Sequence, residues 1–299
     1  MSTKVQPRPD IAPQRVIGAP CKRSSWVRVP AAAATILVAL LFTVFEQVAE
    51  AAILPLPPRS SDGTFYLTKP GTYSGSVSCP NIAATQHCVH LWNSSGITLQ
   101  DFSMSSSGTA IQADNNSTIR DGAVVALGGV TAESKVNVTI NRVTFDTPGA
   151  AVGLFDDAGN CEGLSQKRSR GHTVRNSTFR NAGGNETLWI KCGQFITIEN
   201  NFFQSGSQWS VSLPDSLDVT IRGNTFDLTR EPVNWLAIEL PRTFRVEITR
   251  NRFFGPADDW AVWLNSGTDF VTMVNNCVQG VGAMLGIVAN GTVGRNSRC

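Results

Sequence analysis

Apolar residues recur in one short pattern from about Ile97 almost to the C-terminus. The clearest copies are Ile196 to Phe203, Val219 to Phe226, Val246 to Phe253 and Val271 to Val278. In each, two apolar residues flank one polar residue, and another apolar residue follows five positions after the second. Taking that second residue as an anchor gives Leu99, Ile119, Ile140, Val174, Ile198, Ile221, Ile248 and Met273, at spacings of 20, 21, 34, 24, 23, 27 and 25. The position two before the anchor is apolar except at Ser117 and His172. The position five after it is apolar throughout, and is Phe145, Phe179, Phe203, Phe226 and Phe253 in five copies. Alternation of apolar and polar residues is the period of a strand. Val, Ile, Thr and Phe favour that conformation.

Between anchor and Phe the chain must turn sharply. Asn201, Asn224, Asn251 and Asn276 each stand three after their anchors. Asn tolerates a left-handed backbone and suits such a corner. Stacked coil upon coil, these side chains can bond into a ladder, which is a structural role. Upstream of each anchor lies another short strand: Leu188 to Lys191, Trp209 to Leu213, Trp235 to Leu240 and Trp260 to Leu264. Short strands at a repeat of 20 to 34 residues, with no helical period, form the coils of an all-β parallel solenoid. The Leu/Asn signature of leucine-rich repeats is absent.

With this Val-x-Ile-x-x-Asn-x-Phe pattern and the opening Leu67 to Tyr73, the chain resembles the right-handed parallel β-helix, or pectate-lyase-like, superfamily over about residues 60 to 299. The resemblance implies a right-handed β-helix of about 8 to 10 coils. Members include polysaccharide lyases, glycoside hydrolases, epimerases and binding or structural proteins, so the fold does not name an activity.

The region before the repeat changes the picture of where the protein works. Residues 1–30 are polar and basic, with Lys22, Arg23 and Arg28 near their end. Ala31 to Phe45 is apolar apart from two Thr, and Ala49-Glu-Ala51 follows. A basic region, a short apolar core and a small-x-small site have the layout of a secretory signal peptide over 31–51. The rival is an uncleaved single-pass anchor holding the β-helix outside. Residues 52–62 read as a Pro-rich linker, and 63–299 as one β-helix domain. Six of the seven Cys follow residue 51, as suits disulfides in an oxidising compartment. Proximity along the chain or between coils favours Cys79 with Cys88, Cys161 with Cys192, and Cys277 with Cys299. No Cys-x-x-Cys is present, which argues against structural zinc. With 25 basic and 23 acidic residues, the net charge is +2. No basic block after residue 51 points to nucleic acid.

Candidate chemistry lies on the upstream strands. If Ile190, Val211, Ile238 and Val262 point inward, then Lys191, Ser212, Glu239 and Trp263 point outward in one column. Trp189 stands in the row beside it. Lys191 and Glu239 offer an acid and a base. Trp189 and Trp263 offer faces on which sugar rings lie, with Ser212 as a polar contact. Trp209, Trp235 and Trp260 read as core or corner residues, and His172 as a satisfied histidine at the core's edge. The 34-residue spacing inserts a loop carrying Asp156, Asp157, Arg168 and Arg170. The two Asp resemble the paired aspartates of polygalacturonases, but the accompanying Asn-Thr-Asp, Gly-His-Gly and Arg-x-Lys segments are missing. Two carboxylates can hydrolyse a glycoside, or hold calcium, or form a solvated turn. Lys191 as base, with Arg168 or Arg170 neutralising a uronate, suits β-elimination. The carboxylate cluster of a calcium-dependent lyase is not visible.

The sequence therefore predicts an exported, monomeric β-helix that contacts polysaccharide along its outer groove, as a binding or structural protein of the cell envelope. No cofactor is required, and calcium is the optional ligand. Any membrane contact runs through residues 31–51 alone. The alternative is a polysaccharide lyase or glycoside hydrolase acting on an acidic or envelope glycan, with Lys191, Glu239, Asp156 and Asp157 as its catalytic groups.

Overall fold

A computed structural model describes residues 52–299, apart from 93–94, 157–160, 162–168, 182–183, 205–207, 230–235, 257–259, 266, 282 and 286–289. The basic segment 1–30 and the apolar segment 31–51 lie outside the described residues. Among the described residues every regular element is a strand, and no helix is long and apolar enough to cross a membrane.

The strands pair in parallel with the strand one coil away, and each coil contributes to three faces. The first face carries the anchors. Leu99, Ile119, Ile140, Val174, Ile198, Ile221, Ile248 and Met273 pair in that order, and all are fully buried. The second face carries the Phe positions. Phe145, Phe179, Phe203, Phe226 and Phe253 stack with ring centroids 4.7 to 5.2 Å apart and planes within 6° of parallel. That spacing follows from the strand separation of about 4.8 Å. Each Phe is fully buried, which contributes on the order of 2 kcal/mol. The third face is built by the upstream strands, from Phe65–Leu67 through Glu186–Lys191, Trp209–Ser212 and Leu236–Leu240 to Ala283–Leu285.

The corner between the first two faces is closed by the Asn ladder. Nδ2 of Asn201, Asn224, Asn251 and Asn276 each donates to Oδ1 of the next ladder Asn, at 3.0 to 3.1 Å. That oxygen also accepts from the backbone N–H of the same residue, at 2.9 Å. Asn296 ends the ladder below, and Ser177 receives it above through its N–H. Asn201, Asn224, Asn251 and Asn276 are buried, and an interior amide needs such partners.

Cys79–Cys88, Cys161–Cys192 and Cys277–Cys299 are joined, with Cα atoms 5.7, 5.6 and 5.1 Å apart. Residues 52–62, expected as a linker, belong instead to the same compact unit, Ala51–Cys299. Ile53–Leu54 pairs with Thr72–Tyr73, and Leu54 and Leu56 pack against the core. Alternation of apolar residues with Pro leaves enough pairing groups and apolar surface to begin the solenoid.

Candidate functional site

The third face sets the site, and its register differs from the one the sequence suggests. Leu188, not Ile190, is the partner of Val211, which pairs with Ile238 and then Val262. All four are fully buried. The outward row beside them is therefore Trp189, Ser212, Glu239 and Trp263. Trp189 takes the place expected for Lys191. Lys191 falls in the neighbouring row, below Phe155 and Glu133. A shift of two residues keeps the same side chains inside, so alternation alone does not reveal it. The spacing to the next strand does. Ile190, Leu213 and Leu240 each stand six residues before Ile196, Val219 and Val246.

The row is held by a chain of hydrogen bonds. Ser212 Oγ donates to Glu239 Oε2 at 3.2 Å, and Asn265 Nδ2 donates to Glu239 Oε1 at 3.1 Å. Trp263 Nε1 donates to Asn265 Oδ1 at 3.1 Å. Both Trp side chains are half-buried, as is Glu239, while Ser212 is buried. At the other end of the row Trp189 rests on Phe155, with ring centroids 5.3 Å apart and planes tilted by 30°. Three strand steps separate the two Trp, about 14 Å.

Burial pushes the Glu239 carboxyl above its ordinary value, against the opposing pull of the Ser212 hydroxyl. Glu186, two coils up on the same face, is raised too, first by burial and then by the charge of Glu239. Two carboxyls that resist ionising together are one way to hold a proton for transfer. Glu186 went unseen in the sequence because it stands at the strand's start, beside Trp209, where the apolar alternation has not begun.

The same row continues upward through Gly153, Thr131 and Gln112 to His90 and Tyr66. His90 is therefore a distant member of the candidate row. Its ring lies edge-on to Trp92 at 4.6 Å and tilted toward Tyr66 at 5.6 Å. Burial, and then the charge of His87, lowers its pKa to about 4.

The inserted-loop residues do not join this row. Asp156 is buried at the end of Val152–Phe155 and accepts from Ser134 Oγ at 2.9 Å. Asp157 and Arg168 lie outside the described residues. Arg170 is exposed and bridges Val136 and Gln194 at the edge of the first face. Gly171-His172 follows it, and His172 is fully buried. Its Nδ1 accepts from the Val138 N–H at 3.2 Å, and its Nε2 meets Ser169 Oγ at 2.8 Å. That arrangement is a satisfied core histidine. Among the described residues no group of three or more His, Cys, Asp or Glu is placed to hold a metal ion.

Comparison with known proteins matches residues 128–297 to the family described as the right handed beta helix region. Among solved structures, the A-module of the Azotobacter vinelandii mannuronan C-5 epimerase AlgE6 is similar at 13% identity and a TM-score of 0.52, covering 82% of this chain and 88% of that one. An exopolygalacturonase from Thermotoga maritima is similar at 12% identity and a TM-score of 0.46, covering 68% and 54%. The Streptococcus pneumoniae surface protein and adhesin PfbA is similar at 13% identity and a TM-score of 0.45, covering 79% and 90%. No curated protein matches the sequence.

Proposed function

The chain belongs to the right-handed β-helix family, and from that premise we propose that it is an exported protein that binds polysaccharide along the row from Trp189 to Trp263. The observation that carries this reading is the row itself: two half-buried indoles about 14 Å apart, with a hydrogen-bonded carboxylate between them. Indole faces take the apolar faces of sugar rings, and Glu239, whose oxygens already accept from Ser212 and Asn265, is fixed to accept from sugar hydroxyls. The role is binding or structural, as a monomer, with no cofactor. Three disulfides support an oxidising compartment. The basic and apolar segments before residue 52 support export.

A glycoside hydrolase is the second reading, favoured by the raised carboxyls of Glu186 and Glu239. The pairing of Lys191 with Glu239 no longer supports it, since the two lie in different rows.

The test is affinity electrophoresis of the full chain through gels containing neutral and acidic polysaccharides, with product analysis by mass spectrometry, with and without calcium. Retention by at least one glycan, weakened about tenfold or more in W189A and in W263A but not in K191A, supports binding at this row. Retention unchanged in both Trp variants sinks it. Shortened saturated oligosaccharides that vanish in E239Q establish the hydrolase instead, and unsaturated ends a lyase.

A further inference from the structure

We propose that the first face, the one built by the Val-x-Ile strands, carries a second saccharide site, separate from the Trp189–Trp263 row, in which Phe195 and Phe270 clamp a neutral glycan chain. The feature is an open groove of about 500 Å³ across four successive coils. One of its rims is a single row, Phe195, Asp218, Arg245 and Phe270, set by the pairing of the strands that follow. Its floor is the next outward row: Thr197, Thr220, Glu247 and Thr272.

Three observations point to a ligand. The first is exposure. Phe195 is 57% and Phe270 66% exposed, the largest values among the exposed aromatic side chains here. The second is backbone conformation. Every member of the rim row has positive φ, from 52° to 57°. In earlier coils the same position is filled by residues that adopt this conformation readily: Gly96, Asn116, Asn137 and Gly171. A bulky aromatic residue is an outlier there. The chain has thus placed two Phe where the backbone disfavours them and where they bury little surface. The structure alone gives no reward for either choice.

The third observation is charge. Between the two Phe, Arg245 grips Asp218 with two hydrogen bonds, Nε to Oδ1 at 2.6 Å and Nη2 to Oδ2 at 2.8 Å. The rim pair neutralises itself, so among the described residues that line the groove no cation is left over for a uronate or phosphate. Glu247 leaves the floor slightly acidic. The hydroxyls of Thr197 and Thr220, one strand step apart, and of Thr272, two steps further, beside two aromatic faces three steps apart, suit an extended chain of neutral sugars. About three sugars span the clamp, because such a chain advances by about one strand spacing per ring.

The test uses an unusual property of the position. Replacing both Phe with Asn supplies the residue type that earlier coils use, so the fold keeps or gains stability while the clamp is lost. Isothermal titration of the full chain with cellohexaose and with chitohexaose should show binding of at least one, weakened about tenfold or more in F195N/F270N. The melting temperature of that variant should be unchanged or higher. The same loss should appear when the Phe changes are made on the W189A/W263A background. That arm separates this site from the row on the third face, whether or not that row binds. Three outcomes overturn the proposal. One is no binding of either neutral oligosaccharide to the unaltered chain. Another is binding untouched by the Phe changes. The last is a concentration-dependent dimer that F195N/F270N abolishes, which assigns the two Phe to a second copy of the chain.

Discussion

Ser212 Oγ donates to Glu239 Oε2 across one step of the ladder, 3.2 Å away. This bond favours the ionised carboxylate, while burial favours the protonated one, and burial wins. Removing the hydroxyl removes one of the two donors that oppose burial, leaving only Asn265. S212A should therefore raise the Glu239 pKa further. Carboxyl-carbon NMR titration reads it directly. A Glu239 pKa that falls or stays put in S212A contradicts the assigned bond.

Asn265 links the same carboxylate to Trp263, so it is a positioning residue of the row. N265A removes the bond from the indole N–H to Asn265 and the bond from Asn265 to one Glu239 carboxylate oxygen. Both groups are partly exposed and water can replace the bonds, so stability should change by less than about 1 kcal/mol. Glycan retention should fall, because Trp263 loses its fixed orientation. Comparing W263A, N265A and the double variant in a mutant cycle checks this. The two losses should be non-additive.

The fold was legible because its signal is repeated. Eight anchors, each with an apolar residue five positions on, leave one pairing that keeps all of them inside, and that pairing is observed. The candidate row was legible only in part. Ser212, Glu239 and Trp263 share it as expected, and Trp189 joins it from the neighbouring row. Lys191 leaves it because Leu188 and Ile190 are equally apolar and equally inward, so composition does not say which one meets Val211. Glu186 and Asn265 gave no signal, since their roles arise from contacts between coils.

The Asn ladder should be the most sensitive polar feature of the fold. In N224A, the Asn201 N–H and Nδ2 lose their shared acceptor, and the Ile198 carbonyl loses a donor. All lie in the interior, where each unpartnered group costs about 1 to 3 kcal/mol. The expected loss is about 3 kcal/mol or more, read by urea denaturation. N276A, near the open end, should cost less because water reaches its partners more readily. Equal effects of the two changes would mean that the ladder does not act as a chain of coupled bonds.

The Cys277–Cys299 bond ties the last residues to the coil above. A C277S/C299S variant should fray from the C-terminus while the central coils keep their protection, since a solenoid is held by neighbour-to-neighbour contacts. Hydrogen exchange by mass spectrometry should show faster exchange in Asn290–Val293 and Ser297–Arg298, with Leu217–Arg222 unchanged. Uniform acceleration along the chain would show instead that the bond supports global stability.

His172 should make the fold sensitive to acid. It occupies a position that is Ile196 or Val219 in later coils, and burial lowers its pKa to about 4. Its Nδ1 is committed as an acceptor to the Val138 N–H, so protonating that nitrogen breaks the bond and leaves a charge in the core. In the unfolded chain the ring titrates near 6.5. Between that value and about 4 the unfolded state binds the extra proton and the folded state does not. Stability therefore falls as pH drops through this window, by on the order of 3 kcal/mol in total, and no further below it. Glu186 and Glu239 act in the opposite sense. Their folded carboxyls are raised, so their contribution is present at low pH and lost as pH rises through their titration. The two effects separate in H172V, which replaces the ring with the residue of a later coil. Urea denaturation from pH 7 to pH 4 should give a shallower loss of stability in H172V than in the unaltered protein. Parallel curves would mean that His172 takes up its proton in the folded state as readily as in the unfolded one.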